Sequence, residues 1–192
     1  MSTGKTSHEK GLELETLFAA HLIDKLGYKK TWVARNVFYE DGCKNVDVIG
    51  ERLSEVGRKY FRLSILFLIG SVFYLCLSFY GVNTENPDSS MALISTSICV
   101  VAGLACSFAS YKYNLEHVWV ECKNYAHGPV SEDLIRLAIS RYTDCATSKK
   151  YKFKDKYFVS TNRYIDSALE YAKKKGIICY MLKDGTFTIV SI

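Results

Sequence analysis

Apolar positions along this chain keep three different periods, and the periods separate its elements. In residues 8–27, Leu12, Leu14, Leu17, Phe18, His21, Leu22 and Leu26 recur at helical spacing, and Gly27 is a stop. Residues 31–39 (TWVARNVFY) and 45–53 (NVDVIGERL) are rich in β-branched and aromatic residues and read as strands, joined through the turn signal Asp41-Gly42. Residues 116–122 (EHVWVEC) read as a third strand. Ser131 then caps a helix that carries Glu132 and Asp133 in its first turn and runs to about Ala146. A strand over 156–160, a helix over 165–175 stopped by Gly176, and strands over 177–182 and 186–190 around Asp184-Gly185 complete the chain.

Residues 63–84 and 89–111 keep no period at all. Neither contains Lys or Arg, and each is apolar on every face over more than the ~20 residues that span a bilayer core. Some 140 remaining residues are too few to enclose two such helices in a soluble core. The connection carries Pro87, Asp88 and Asn86, residues of a short turn. A two-helix transmembrane hairpin over residues 62–112 is therefore expected, with Ala102, Gly103, Ala105, Cys106 and Ala109 allowing close helix approach. Arg52, Arg58, Lys59 and Arg62 precede the first span and Lys112 follows the second, whereas the loop has only acids. By the positive-inside rule both termini are cytoplasmic, at the plasma (inner) membrane.

The expected order is thus αββ, hairpin, βαβαββ. The elements before the insert cannot bury a core alone, so residues 11–61 and 113–192 are expected to form one discontinuous α/β domain behind a disordered tail over 1–10. The strands flanking the insert should pair, the two spans replacing a turn.

Charge sharpens the picture. The net charge is +5, but residues 63–111 hold only Glu85 and Asp88, so the rest carries 25 basic against 18 acidic residues, a net +7. Such a surface suits polyanions, and it equally suits plain solubility. Seven cysteines without a CxxC pair suggest neither a disulfide framework nor a zinc site. Gly4-Lys5-Thr6 imitates the end of a P-loop but follows no strand.

Four residues carry candidate chemistry. Asp47 lies in an apolar strand between Val46 and Val48, and alternation points it to the face opposite them. Glu121 and Lys123 share one face of the next strand, Val120 and Cys122 the other. If these strands pair, two carboxylates and a lysine converge, a set able to hold Mg²⁺ and stabilise phosphate charge. Glu15 is a further acid in the largely apolar first helix. Singly each is ordinary, since an ExK pair is often a solvated face.

Three segments together, Gly11-Leu12-Glu13-Leu14-Glu15, Asn45-Val46-Asp47-Val48-Ile49 and Val118-Trp119-Val120-Glu121-Cys122-Lys123, resemble the PD-(D/E)xK nuclease superfamily, within it the Mrr-like restriction endonuclease group. Residues 157–176 resemble the strand, Ser/Thr turn and helix that follow in that group. The resemblance implies a restriction-endonuclease-like mixed sheet flanked by helices, here interrupted by the hairpin. It implies Asp47 and Glu121 as ligands of Mg²⁺ or Mn²⁺, Lys123 as the residue that positions or activates water, and Glu15 as an assistant to the metal site. Asn45 stands where relatives often have another acid. The implied activity is that of a Mg²⁺-dependent endodeoxyribonuclease at the cytoplasmic face of the membrane, with defence against foreign DNA as one setting. DNA is the expected substrate with RNA open. The bilayer, and a second copy of the chain or a membrane-associated protein, are the other expected partners. The competing expectation is a non-catalytic, membrane-tethered module that binds nucleic acid or protein on a nuclease-like fold. Outside these four, Ser160, Thr161 and Asn162 read as phosphate contacts or, with slight preference, as a strand end. Arg136, Arg141 and Lys149-Lys150 read equally as a DNA-facing edge or a solvated helix face, and His127 as a loop residue.

Overall fold

The computed structural model describes residues 6–39, 42–82, 89–124 and 128–190; within them the side chains of 74–75, 77–82, 89–95 and 109–113 are not described. The Asp41 side of the predicted hairpin turn, the loop over 83–88 and His127 lie outside the described residues. The chain divides into two compact units, one of residues 1–52 with 116–192 and one of residues 53–115.

In the first unit the elements follow the expected order: α1 (Ser7–Asp24), β1 (Lys30–Tyr39), β2 (Gly42–Leu53), then, after the insert, β3 (Leu115–Lys123), α4 (Glu132–Ala146), β4 (Phe153–Ser160), α5 (Asp166–Lys174), β5 (Ile178–Lys183) and β6 (Thr186–Val190). The insert supplies α2 (Glu55–Val82) and α3 (Ser89–Tyr113). The six strands form one sheet in sequence order, β1-β2-β3-β4-β5-β6. The β1–β2 and β5–β6 pairs are antiparallel, and β3–β4 and β4–β5 are parallel through the helical crossovers α4 and α5. The protein is thus α/β, a mixed sheet flanked by helices, and β2 and β3 neighbour each other despite the long insert between them.

The two faces of the sheet bury separate clusters. Leu14, Phe18, Ala19 and Leu22 of α1 lie on Val48, Val118, Val120, Cys122, Tyr157, Val159 and Tyr180. Ile135, Ala138 and Cys145 of α4 and Ala168, Leu169 and Ala172 of α5 lie on Val46, Ile49, Trp119 and Phe158. Gly50 lets the first face close: a Cβ there would stand 2.8 Å from Val118 Cγ1 and 2.9 Å from Tyr28 Cδ1.

Two expectations shift. The helix α1 begins at Ser7, inside the stretch expected to be a disordered tail, because Thr6 and Glu9 form a capping box. Its buried stripe is also narrower than expected. Leu12 and Leu17 are about half exposed, since only the 14, 18, 22 ridge meets the sheet.

In the second unit, α2 and α3 run antiparallel. Ser107 Oγ donates to Ser64 Oγ at 2.8 Å, while Gly103, four residues earlier, meets Phe67 and Leu68, so the register runs in opposite senses. The ends of the insert meet, with Ser54 N–H donating to the Asn114 carbonyl at 2.7 Å. Burial here is inverted relative to a soluble pair of helices. Ser64, Ser71 and Thr96 are buried, whereas Leu66, Ile69, Val72, Phe73, Ile98, Val101, Leu104 and Phe108 are exposed. Among the described residues no helix is long and apolar enough to cross a membrane. The helix α2 starts well before the uncharged run that begins at Leu63, taking in Arg58, Lys59 and Arg62, because hydropathy reports the surrounding medium and not where backbone hydrogen bonding begins.

Candidate active site

The structure brings Asp47, Glu121 and Lys123 together. Lys123 Nζ stands 2.6 Å from Glu121 Oε1 and 3.7 Å from Asp47 Oδ2. Asp47 Oδ2 also accepts the backbone N–H of Cys122 at 2.7 Å, which ties the carboxylate of β2 to the neighbouring strand β3. On β3 the alternation expected from sequence holds: Val118, Val120 and Cys122 enter the α1-side cluster, while Trp119 enters the other. Glu121 turns toward α4, where Arg141 Nη1 donates to Oε1 at 2.6 Å.

On β2 the alternation does not hold, and this corrects the expected placement of Asp47 opposite both valines. Val46 belongs to the α4 and α5 cluster and Val48 to the α1 cluster. The cause lies in the partner strand. The register pairs Val33 with Val48 and Arg35 with Val46, so Ala34 stands opposite Asp47 at an unpaired step. Ala34 has a positive φ of 50°, a conformation that L-residues adopt at a cost. A distorted step of this kind re-aims one side chain. Here it swings β2 from one face to the other and frees Asp47 to reach β3.

Glu121 is nearly inaccessible, at 1% exposure, and its two oxygens differ. Oε1 takes both Lys123 and Arg141, whereas Oε2 is buried without a hydrogen-bond partner. A buried carboxylate oxygen without a donor is costly and calls for an explanation, an ion among them.

Burial and neighbouring charge shift Asp47, Glu15 and Lys123. Burial, then the negative charge of Glu121, raises the Asp47 carboxyl above its usual range. Glu15 is pushed up to about 7 by burial and then by Asp47, with Glu121 adding to it and Lys123 opposing. The helix α1 thus places Glu15 within electrostatic reach of the other three. Burial works to lower Lys123, but the Glu121 and Asp47 carboxylates outweigh it and hold the ammonium above its usual value. Cys122 is raised well above a free thiol, burial first, so it stays protonated and unreactive.

Among the described residues no three His, Cys, Asp or Glu side chains gather into a ready-made metal cage. Mg²⁺ does not require one, since it is commonly held by one or two carboxylates with waters and substrate phosphate. Asp47 and Glu121, with the orphaned Oε2, fit that requirement.

The remaining sequence candidates sort clearly. Ser160 Oγ accepts the Asn162 N–H, Thr161 Oγ1 donates to Asn124 Oδ1, and Asn162 Nδ2 donates to the Gly128 carbonyl. They tie the end of β4 to the loop after β3, which is the strand-end reading. Arg136 pairs with Glu132 and lies over the Tyr171 ring, away from the cluster. The role of Arg141 was missed. Its signal was the spacing of α4: Ala138 and Cys145 are buried, and Arg141 falls between them at i+3 and i−4.

No protein-family model matches the chain, and no curated protein matches it. Among solved structures, the crystal structure of AF1548, a protein of unknown function, matches with a TM-score of 0.47 and 13% identity. The match takes in 88% of this chain and 56% of that one.

Proposed function

We propose that this protein is a metal-dependent nuclease of the PD-(D/E)xK type, tethered to a membrane by the α2–α3 hairpin. The observation that carries the reading is the pairing of Asp47 with a buried Glu121 whose Oε2 has no partner, beside a lysine at 2.6 Å. In this reading Asp47 and Glu121 hold Mg²⁺ or Mn²⁺, and Glu15 supports them from α1. Such an ion supplies Lewis acidity toward a phosphate oxygen and a water of lowered pKa. Lys123, held charged by its two carboxylates, orients water and donates to the phosphate oxygens as charge builds there. DNA at the cytoplasmic face is the proposed substrate.

The membrane tether rests on the inverted burial of the second unit, with hydroxyls inside and large apolar side chains outside. Helices in lipid pack through small residues and interhelical hydroxyl bonds, as at Gly103 and at Ser64–Ser107. The basic residues on both sides of the insert favour cytoplasmic termini.

One observation favours the non-catalytic alternative. Lys123 and Arg141 already neutralise Glu121 Oε1 without an ion, so the cluster could be a folded-state ion pair of a binding module. Incubating detergent-solubilised protein with plasmid DNA and with RNA, each with Mg²⁺, with Mn²⁺ and with chelator, separates the two. Divalent-dependent cleavage is expected. Cleavage of neither polymer with either ion assigns the fold to binding.

A further inference from the structure

Apart from the acidic cluster, the first unit carries a basic cleft that the proposed chemistry does not use. Two adjoining cavities of about 310 and 480 Å³ share Phe38, Ser148 and Lys150 as lining residues. The outer strand β1 contributes Arg35 and Asn36, and the segment after α4 contributes Lys149. Phe38 is 72% exposed, the most exposed large apolar side chain among the described residues. Arg35, Lys149 and Lys150 are exposed, and none has an ion-pair partner among the described residues. The nearby acid Asp144 is taken by Lys44 at 3.4 Å. Three cations without an ion-pair partner, of which Lys150 lies over the Tyr151 ring at 5.4 Å, surround an exposed aromatic ring without an acid among the lining residues, and this matches the chemistry of a nucleic-acid strand. Phosphates meet the cations and a base stacks on the ring.

The cleft is also placed to serve the cluster. The helix α4 gives Arg141 to Glu121 and ends at Ala146, two residues before Ser148 of the cleft.

We propose that the cleft between β1 and the α4–β4 connection, centred on Phe38, Arg35, Lys149 and Lys150, is a binding track for single-stranded nucleic acid leading to the candidate active site. The proposal rests on the nuclease reading for its destination and on the cleft alone for its ligand. A base stacked on Phe38 must be unpaired, which selects a single strand over a duplex. Asn36 and the Ser148 segment lie where phosphate or sugar oxygens would accept or donate hydrogen bonds.

The test uses the full chain in detergent, with chelator present, and a short fluorescein-labelled oligothymidylate as probe. Anisotropy is read across a salt series for the wild type, for Arg35→Gln/Lys149→Gln/Lys150→Gln and for Phe38→Ala. Each phosphate contact contributes about 0.7 to the slope of log K against log salt for a single strand. The triple variant should therefore lose about 2 from the slope, and Phe38→Ala should weaken binding about tenfold with the slope kept. Circular dichroism melting should be unchanged for both, since all four side chains face solvent. An unchanged slope in the triple variant overturns the proposal, as does a Phe38→Ala protein that binds like wild type. Equally damaging is a triple variant that keeps the oligonucleotide and instead loses anionic vesicles or begins to self-associate through the β1 edge. Plasmid cleavage by wild-type protein with Mg²⁺ is measured in parallel. Binding through the cleft without cleavage removes the nuclease reading and leaves the track, and cleavage with an unchanged slope does the reverse.

Discussion

At the scale of single residues, the cluster turns on one carboxylate that is buried almost completely and only half satisfied. Glu121 shares one oxygen between two cations and leaves the other without a donor. Its carboxylate, and that of Asp47, should therefore matter for metal uptake, and Lys123 for rate. Asp47→Asn and Glu121→Gln should abolish both cleavage and Mg²⁺ binding seen by calorimetry. Lys123→Ala should retain metal and nucleic acid yet cleave about 10²–10³-fold more slowly, the range for losing one donor aimed at developing charge. Full activity in all three would remove the site. Glu15 allows a test without substrate. Its folded-state value of about 7 lies above the ordinary carboxyl value of 4.5, so folding favours the protonated form. The stability it contributes is present below pH 4.5 and is lost as pH rises toward 7. Glu15→Gln, neutral throughout, should gain on wild type in melting temperature as pH goes from 5 to 8 without metal. A gap constant with pH would show that burial and the neighbouring carboxylates do not raise Glu15. Glu121, Lys123 and Asp47 were legible in the sequence because strand alternation and an acid in an apolar run are local signals. The swing at Asp47 was not, since it originates in Ala34 across the ladder. Arg141 reads from the sequence equally as part of a DNA-facing edge or of a solvated helix face, and not as the partner of Glu121, because helix spacing gives a face and not its depth.

Among elements, the α2–α3 pair is the one whose packing makes the sharpest demand. A Cβ at Gly103 would lie 3.4 Å from Phe67 Cβ, Leu68 Cγ and the Ser64 carbonyl oxygen. A methyl group just fits there and nothing larger does. Gly103→Ala should leave the pair intact, whereas Gly103→Leu should cost about 1–3 kcal/mol, as overpacking typically does. The readout is cysteine cross-linking between positions 64 and 107, where the two serine hydroxyls now meet. Undiminished cross-linking in Gly103→Leu would mean that the helices do not depend on close approach. The strands β1 to β6 were readable to within a few residues because each is bounded by turn residues and carries β-branched or aromatic side chains. Less was readable in α1. Its capping box at Thr6 and Glu9 lies in a polar stretch that resembles a tail, and leucines at 12 and 17 that fit the helical stripe face outward. Hydropathy cannot say which apolar residues a sheet will reach.

For the whole molecule, the long insert between β2 and β3 leaves the acidic cluster assembled. Ser54 and Asn114 close the insert at its base, and β2 still lies beside β3. That discontinuity was legible because strands on either side of the insert lacked partners of their own. In the membrane reading, the loop over 83–88 and the termini lie on opposite sides of the bilayer. An impermeant maleimide applied to intact cells should label Ser89→Cys and should not label Ser2→Cys. Cys43 is exposed in the first unit and supplies an internal control, since it should react only after the cells are lysed. The basic residues that flank the insert set this orientation, so moving them should weaken it. Replacing Arg58, Lys59 and Arg62 with Gln while adding lysines to the loop over 83–88 should produce a population in which Cys43 reacts from outside. Labelling of Ser2→Cys and Cys43 in intact cells expressing the unaltered flanks would invert the topology and place the acidic cluster outside. Labelling of all three positions before lysis would mean that the hairpin does not cross the bilayer, and its exposed apolar face would then be the surface left to explain.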